Sequence, residues 1–251
     1  MLNWAARYFP ILRALKAQFS ESDSLLEIGS GSAGIGQFHA IPFVGCDINF
    51  PWPPQAPMRP VVASATNLPF SDQSFDAVVA SDVLEHVPPE NRMIVIREAL
   101  RVARKIAIFG FPSGSQAFEF DVKLAEVYDR GGIDKPEWLE EHMRYQPFPT
   151  KQLFEGLQNE WLVSSFENEN AVFHNWVMRQ EMHRLGLYGF RVLLALLPRL
   201  MERLLRYADR EPFYRQIVVV KRLHMRSMRG SRPLTVQPAG RDGEMRHESV
   251  T

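Results

Sequence analysis

Short apolar runs alternate with stretches of helical spacing over the first half of the chain. The runs are nearly continuous, as in strands that are covered on both faces. Five strands are predicted from them, at residues 24–29, 43–47, 61–63, 74–81 and 105–111. Helices are predicted at residues 34–39 and 88–104. A further short helix is predicted before the first strand, from the helical spacing of Ile11, Leu12, Leu15 and Phe19, with Pro10 in its first turn. Strands that alternate with helices predict a doubly wound α/β sheet with parallel strands.

The pattern changes after Pro112. Helical spacing over residues 116–128, 150–159 and most of 171–207 surrounds a polar, aromatic-rich loop at 131–149. Two further strands are predicted at residues 162–166 and 216–221. We expect one domain over residues 1–222, followed by a polar, aperiodic and disordered tail at 225–251. Its predicted parts are an N-terminal helix (1–20), a cofactor-binding half (21–112), a lid or acceptor insertion (113–160) and a helical insertion (169–210).

Composition narrows the classes of partner. Lys plus Arg and Asp plus Glu number 29 each, so no net charge favours nucleic acid as a partner. The single cysteine, Cys46, cannot form an internal disulfide, so nothing in the cysteine content indicates an oxidising compartment. The N-terminal segment is interrupted by Arg7 and Arg13, unlike a signal peptide, and no run reaches the roughly 20 apolar residues of a membrane span. A cytoplasmic protein is therefore expected.

Residues 25–38 form the most informative segment. Gly29, Gly31 and Gly34 have the spacing G-x-G-x-x-G between a strand and a helix, which is typical of loops that bind nucleotide cofactors. Glu27 precedes this loop, and its charge would repel a pyrophosphate but suits a cationic ligand. Asp47 ends the second strand, where a carboxylate can accept hydrogen bonds from both ribose hydroxyls. That last role is common to nicotinamide and S-adenosylmethionine sites.

Several motifs downstream occur in a specific order. These are Glu27-Ile28-Gly29-Ser30-Gly31, Asp47, Leu68-Pro69-Phe70, Ser74-Phe75-Asp76 and Ser81-Asp82-Val83-Leu84-Glu85-His86-Val87. Together they resemble the class I S-adenosylmethionine-dependent methyltransferases that act on small molecules. The resemblance covers about residues 24–112 and the last strand. It implies a Rossmann-like seven-stranded sheet of order 3-2-1-4-5-7-6 with the last strand antiparallel.

The same resemblance implies a set of cofactor-binding residues. Glu27, Gly29, Ser30 and Gly31 would lie along the methionine end of the cofactor, and Asp47 would bind the ribose. The adenine would lie between Ile48 and the segment that contains Ser64, Ala65 and Leu68. Ser81, Asp82 and His86 would border the sulfonium. The chain departs from the family at Ala33, where a glycine is common, and at Ser64, where an aspartate often binds the adenine amino group more strongly.

Methyl transfer from a sulfonium is an in-line displacement on an activated donor, so a general base is needed only when the nucleophile carries a proton. His86 and His142 are the candidate bases. The alternatives are structural: His86 bonded to backbone at a helix start, and His142 solvated beside Glu140 and Glu141. Glu85 is expected to bond a backbone N–H. No metal is expected, since the seven histidines show no H-x-x-x-H or His/Cys cluster.

The acceptor site is harder to predict from the sequence than the cofactor site. Aromatic residues within 113–149 suit a lid or acceptor pocket, or simply pack the insertion onto the sheet. Residues 185–207 combine leucines with arginines, and Pro198 should kink this helix. Its apolar face would pack on the chain itself or a second subunit, or dock on a membrane surface. A small-molecule, glycan or lipid-linked acceptor is expected. Alternative functions are a nicotinamide-dependent oxidoreductase, although no Tyr-x-x-x-Lys pair is present, and a methyltransferase-like binding protein without turnover.

Overall fold

The computed structural model describes residues 2–20, 22–157 and 161–223, so the predicted tail at 225–251 lies outside the described residues. The strands within this part are β1 Leu25–Ile28, β2 Phe43–Asp47, β3 Met58–Val62, β4 Phe75–Ser81, β5 Ala103–Pro112, β6 Trp161–Asn170 and β7 Phe213–Arg222. The α-helices are α1 Leu2–Lys16, α2 Arg92–Val102, α3 Gly114–Gly131, α4 Glu137–Arg144, α5 Ala171–Glu181, α6 Arg184–Leu196 and α7 Pro198–Ala208. Short 3₁₀ helices lie at Gly34–Gln37, Leu84–His86, Pro89–Asn91 and Lys151–Leu157.

All seven described strands join one sheet in the order β3-β2-β1-β4-β5-β7-β6. The strands from β3 to β5 pair in parallel, while β7 runs antiparallel to both β5 and β6. This confirms the predicted fold and strand order. The carboxyl ends of β1, β2 and β4 consequently meet at one edge of the sheet, next to the point where the strand order reverses.

The two faces of the sheet are covered by different helices. In β4, Val79 belongs to the cluster that contains Ile11 of α1, and the adjacent Val78 belongs to the cluster that contains Ile96 of α2. Successive residues of a strand point to opposite faces, so the alternation follows from strand geometry. Each of these aliphatic side chains is fully buried, which stabilises the fold by about 1.5–3 kcal/mol apiece.

Helix α1 is longer than the sequence pattern predicts. It begins at Leu2, and Pro10 lies inside it rather than in its first turn. A proline in a helix cannot donate to the carbonyl four residues earlier, here that of Ala6. The side-chain Nδ2 of Asn168 donates to that carbonyl oxygen instead, at 3.3 Å. A partner on a distant strand therefore supports a proline that local rules would place at a helix end.

Other differences also have local causes. The predicted loop at 131–149 contains helix α4, which has only two buried positions, Leu139 and His142, and so lacks a strong periodic pattern. The predicted helices at 34–39 and 150–159 are 3₁₀ turns at Gly34–Gln37 and Lys151–Leu157. Pro198 separates α6 from α7 instead of kinking one helix, because proline fits the first turn of a new helix.

Strand β3 begins at Met58, earlier than predicted, and includes Pro60. It lies at the edge of the sheet, where a missing N–H leaves no ladder bond unmade. Within the described residues, the helices are too short or too polar for any of them to cross a membrane.

Arg92 fastens the insertion to the end of β4. Its buried guanidinium donates to the carbonyl oxygens of Leu84 at 2.8 Å and Val87 at 3.1 Å. It also donates to those of Tyr145 at 2.7 Å and Pro147 at 2.5 Å, just after α4. The 3₁₀ turn Leu84–His86 and helix α4 are thus held at a fixed distance from each other.

We expect Arg92→Met to lower the free energy of unfolding by about 2–4 kcal/mol, because four carbonyl oxygens would lose a charged donor. Urea unfolding followed by circular dichroism measures the change. Arg97→Met, on the exposed face of the same helix, is the control and should shift stability by less than about 0.5 kcal/mol. Equal effects of the two substitutions would contradict the role given to Arg92.

Candidate active site

A cavity of about 350 Å³ lies at the carboxyl ends of β1, β2 and β4. Its walls combine apolar side chains with a few acidic and hydroxyl groups. They are Ile28, Gly29, Cys46, Asp47, Ile48, Ala63, Ser64, Ala65, Thr66, Asp82, Val83, His86, Val87 and Glu141. We call this the first cavity. The first cavity lies where the strand order of the doubly wound sheet reverses, and folds of this type bind nucleotide ligands at that position.

Asp47 is the best-oriented polar group of the first cavity. One carboxylate oxygen accepts the backbone N–H of Gly31 and the other accepts that of Ile48, both at 2.7 Å. Each oxygen retains lone-pair capacity for a further donor. The neighbouring Ile48 is 70% exposed, although it is a large aliphatic residue. A fixed carboxylate beside an uncovered apolar side chain suits a ribose diol that is attached to a flat apolar ring.

The glycine loop needs its glycines for two distinct reasons. Gly31 has φ +53°, and a Cβ there would meet open space, so a ligand can approach the backbone closely. Gly34 has φ +49°, and a Cβ there would lie 2.0 Å from Oε2 of Glu27. The loop is therefore open on its outer side and packed tightly onto Glu27 on its inner side.

Glu27 lies behind the loop rather than on a cavity wall. Its buried carboxyl accepts hydrogen bonds from the Tyr8 hydroxyl and the Ile35 N–H, both at 2.7 Å. Burial raises the pKa of Glu27 to about 7, although the Ile35, Tyr8 and Arg7 interactions oppose the shift. The carboxyl thus supports the loop from inside, and its predicted contact with the cofactor stays a prediction.

The other predicted cofactor residues divide into two groups. The structure places Gly29, Asp47, Ile48, Ser64, Ala65, Asp82 and His86 on the wall of the first cavity. Four lie outside that wall: Ser30, Gly31, Leu68 and Ser81. Gly31 acts on Asp47 through its backbone, and the buried Leu68 donates its N–H to Glu98 at 2.8 Å. Of the residues predicted to contact adenine, Ile48, Ser64 and Ala65 line the first cavity and Leu68 does not.

A second cavity of about 340 Å³ adjoins the first, since Asp82 and His86 line both. Its remaining walls come from four helices and the strands β5 and β7. They are Asn3, Trp4, Arg7, Glu85, Pro112, Trp138, His142, His174, Met178, Glu181, Tyr214 and Arg215. The shared residues place the two cavities on either side of the end of β4.

Asp82 is held as an anion between two arginines. Its carboxylate pairs with Arg7 of α1 at 3.0 Å and with the fully buried Arg215 of β7. Burial would raise the pKa of Asp82, but the charges of Arg215 and Arg7 more than offset it, and the pKa lies below its ordinary value. Asp82 is consequently a poor proton acceptor near neutral pH.

Three histidines of the second cavity each hold a carboxylate through Nδ1. His86 bonds Glu141 and His142 bonds Asp121, both at 2.7 Å, and His174 bonds Glu169 at 2.9 Å (Nδ1 to carboxylate oxygen in each case). A neutral imidazole that donates from Nδ1 carries a lone pair on Nε2. These rings are therefore oriented to accept a proton or to bind a cation.

The structure brings both predicted bases together, with ring centroids 4.8 Å apart. Burial lowers the pKa of His142 below its ordinary value, in spite of Asp121. Burial also lowers that of His86, but the bond to Glu141 and nearby carboxylates raise its pKa overall. Both structural alternatives for these residues are wrong: His142 is buried rather than solvated, and the ring of His86 bonds a carboxylate rather than backbone.

Glu85 also differs from its expected role. Its side chain is fully buried, and neither carboxylate oxygen has a hydrogen-bond partner among the described residues. Burial and then the charge of Asp82 raise the pKa of Glu85 to about 8. A buried carboxyl without a partner is costly, which is typical of a functional rather than a structural group.

Sequence reasoning missed several residues of the second cavity. His174 and Arg215 lie far along the chain from the motifs, and Trp4 comes from the N-terminal helix. The burial of Arg215 could be predicted from the apolar run 217–220 that follows it, because a strand this apolar lies in the core and buries the residues next to it. The aromatic residues of the insertion divide as expected: Trp138 lines the cavity, while Phe148 packs in the core.

Comparison with known families identifies the class of protein. Residues 26–111 match the family model described as a methyltransferase domain, a segment that contains the glycine loop, Asp47 and the end of β4. The chain carries a class I S-adenosylmethionine-dependent methyltransferase domain. With the observed strand order, this makes the protein an enzyme whose cofactor is S-adenosylmethionine, and it sets aside the nicotinamide alternative.

Solved structures of methyltransferases share the fold. A candidate methyltransferase from an antibiotic biosynthesis pathway of Anabaena variabilis ATCC 29413 is 13% identical with a TM-score of 0.52, covering 86% of this chain and 98% of its own. A SAM-dependent methyltransferase from that organism is 14% identical with a TM-score of 0.50, covering 88% and 87%. A candidate sarcosine dimethylglycine methyltransferase from Galdieria sulphuraria is 13% identical with a TM-score of 0.50, covering 88% and 84%. No functionally curated protein matches the chain.

The buried acid behind the glycine loop gives this methyltransferase a pH-dependent stability. The pKa of Glu27 is about 7 in the fold and near its ordinary 4.5 when unfolded. Between these values the folded state holds a proton that the unfolded state has released, so stability falls as pH rises and levels off above about 7. A shift of this size corresponds to on the order of 3 kcal/mol.

We expect Glu27→Gln, which keeps the shape but cannot ionise, to lack this component. Free energies of unfolding in urea at pH 5, 6, 7 and 8 measure it. The wild type should lose more stability than the variant over that interval. Parallel curves for the two proteins would show that Glu27 does not titrate there.

Proposed function

We propose that this methyltransferase methylates a small-molecule, glycan or lipid-linked acceptor that occupies the second cavity. The observation that carries the proposal is the shared wall of the two cavities at Asp82 and His86. A donor in one cavity and a nucleophile in the other would face each other across the end of β4. Alignment of this kind provides most of the rate enhancement when the donor is already activated.

The first cavity fits S-adenosylmethionine by its chemistry. Asp47, fixed by two backbone N–H groups, would accept the ribose hydroxyls, while Ile48 and Ala65 would contact the adenine. The open space beside Gly31 would admit the methionine part of the molecule. When bound, this cofactor supplies a methyl group on a positively charged sulfur. The ionised Asp82 lies where it would favour that charge.

The residues of the second cavity suit an acceptor whose nucleophile carries a proton. His86 and His142 lie at the boundary between the cavities, and the Nδ1 atom of each bonds a carboxylate, which leaves the Nε2 lone pair for a further partner. We assign to this pair a role in the loss of the acceptor's proton. Helix α4, within residues 113–160, supplies His142 and Trp138, which supports the predicted acceptor role of that insertion.

Calorimetry tests the cofactor assignment. We expect S-adenosylmethionine and S-adenosylhomocysteine to bind and NAD not to bind. Asp47→Asn should weaken both ligands by about 10–100-fold, because hydrogen bonds to a charged group contribute about 1.5–3 kcal/mol. Asp134→Asn, an exposed carboxylate of the insertion, is the matched control. Binding of NAD alone, or an unchanged affinity in Asp47→Asn, would contradict the assignment.

Turnover tests the acceptor assignment. Formation of S-adenosylhomocysteine is measured with acceptors that differ only in their nucleophile, such as a hydroxyl, an amine and a carboxylate. We expect His142→Gln, at a residue that lines the second cavity but not the first, to retain cofactor binding while it lowers turnover of the hydroxyl acceptor. If no acceptor produces turnover although the cofactor binds, the protein is a methyltransferase-like binding protein.

An exposed apolar surface favours an amphiphilic acceptor. Leu185, Leu196, Leu200 and Leu204 of α6 and α7 are between 47% and 88% exposed among the described residues, while Leu194 and Met201 pack toward α1 and α5. The segment 184–208 contains five arginines and one glutamate. Leucines beside arginines are typical of a helix that lies on an anionic membrane surface.

Co-sedimentation with vesicles tests this surface. We expect the full chain to pellet with vesicles that contain phosphatidylglycerol, and to pellet much less with pure phosphatidylcholine. Leu196→Asp combined with Leu204→Asp should abolish most of the binding, whereas Ile133→Asp, an equally exposed residue elsewhere, should not. If the wild-type chain stays in the supernatant, the hypothesis of membrane binding is wrong. A dimer that the double variant dissociates would assign the surface to a second copy.

A further inference from the structure

We propose that Glu85, His86 and His142 bind a divalent transition-metal ion at the boundary of the two cavities. One ligand atom from each of these residues lies within 4.8 Å of the others. Two imidazoles and one carboxylate are a common ligand set for Zn²⁺ and for other first-row divalent ions. No sequence motif indicates this site, because His86 and His142 lie far apart along the chain.

The outer contacts of both histidines have the form found around metal ions. Nδ1 of His86 bonds Glu141, and Nδ1 of His142 bonds Asp121, each at 2.7 Å. Asp121 is itself held by the Tyr214 hydroxyl at 2.9 Å. Histidines that bind metals usually donate their second ring nitrogen to a carboxylate, which fixes the ring and leaves Nε2 for the metal.

Unsatisfied atoms point to the same place. Nε2 of His142 and both carboxylate oxygens of Glu85 are buried and lack a hydrogen-bond partner in the described part of the chain. His142 is 4% exposed and Glu85 is fully buried. Leaving such groups unpaired is costly, and a cation would satisfy all of them at once.

The local charge also favours a cation. Arg7 and Arg215 are engaged by Asp82, and Arg215 also pairs with Glu169. On the other side of the cavity, the ion pairs of Glu141 and Asp121 within the described residues are with His86 and His142, not with lysine or arginine. Glu141 and Asp121 therefore place negative charge directly against the histidine pair, while Arg215 and Arg92 act on Glu85, and Arg144 acts on Glu141, only from beyond ion-pair distance.

The site deepens the proposed function and rests on it for its catalytic consequence. Three protein ligands leave at least one coordination position of a tetrahedral ion for an acceptor oxygen or nitrogen. Coordination lowers the pKa of such a group, and the released proton passes to solvent. The histidine pair would thus promote loss of the proton by holding the cation, rather than by accepting the proton itself.

Metal titration of the full chain tests the site directly. After treatment with a chelator, Zn²⁺ and Co²⁺ are added separately, with calorimetry for Zn²⁺ and visible absorption for Co²⁺. We expect one ion of either metal per chain, with Co²⁺ bands typical of nitrogen and oxygen ligands. Mg²⁺ and Ca²⁺, which prefer oxygen ligands, should bind much more weakly.

The variants are chosen to separate ligands from bystanders. Glu85→Gln and His142→Gln should each lower the affinity by at least about 100-fold, more than the roughly 10–100-fold typical of outer-contact changes. His174→Gln is the matched control, because His174 is equally buried on the same cavity and also bonds a carboxylate. Circular dichroism tests whether each variant is folded. Two ligand variants are used so that the site can still be tested if one of them does not fold.

The proposal is overturned if the wild type binds no stoichiometric ion, or if the ligand variants bind it as well as His174→Gln does. S-adenosylmethionine is titrated into the same metal-free protein. If it binds and the metal does not, the metal site alone is wrong. If the metal binds and the cofactor does not, the metal site stands and the cofactor assignment fails.

Discussion

The charged contact at the end of β4 is the constraint on which the rest of the site depends. Asp82 has φ +53°, and its carboxylate joins Arg7 of the N-terminal helix to Arg215 of the last strand. Arg215 continues to Glu169 of β6, so one buried network connects elements from both ends of the described chain. Removing one partner of such a network leaves another charge buried and unpaired, which is strongly destabilising.

This network also explains why charged side chains line the second cavity. The Arg7–Asp82 ion pair joins helix α1 to the active site, and the same helix brings Trp4 to the cavity wall. On the inner side of α1, the Tyr8 hydroxyl bonds Glu27 behind the glycine loop. Adjacent residues of one helix, Arg7 and Tyr8, therefore contact the wall of the second cavity and the support of the glycine loop. We infer that loosening α1 would disturb both cavities together.

The cofactor half was predictable because its features are local. Asp47 ends a strand whose bounds, Phe43–Asp47, follow directly from its apolar run, and the glycine spacing marks the turn beside it. Ends of parallel strands meet at one sheet edge, so strand order and ligand position followed together. The prediction failed for Pro10, because Asn168, on a strand far along the chain, compensates the helix there.

The acceptor half was less predictable because its contacts are long-range. His86 meets Glu141 across 55 positions, and Tyr214 meets Asp121 across 93. Neither pair leaves a periodic pattern. Helix α4 was missed for the same reason: its two buried positions become meaningful only when His142 has Asp121 and Trp138 beside it.

Helix α5 links the polar cavity to the leucine-rich surface. His174 and Met178 line the second cavity, whereas Val177 joins the cluster that contains Leu194 of α6. A change in the packing of α6 would therefore be transmitted to a wall of the second cavity through one helix of 11 residues. If the surface of α6 and α7 meets a membrane, the same contact that brings an amphiphilic acceptor close would also act on the cavity that receives its reactive group. Membrane docking and acceptor binding would then be coupled, and each would strengthen the other by the same factor.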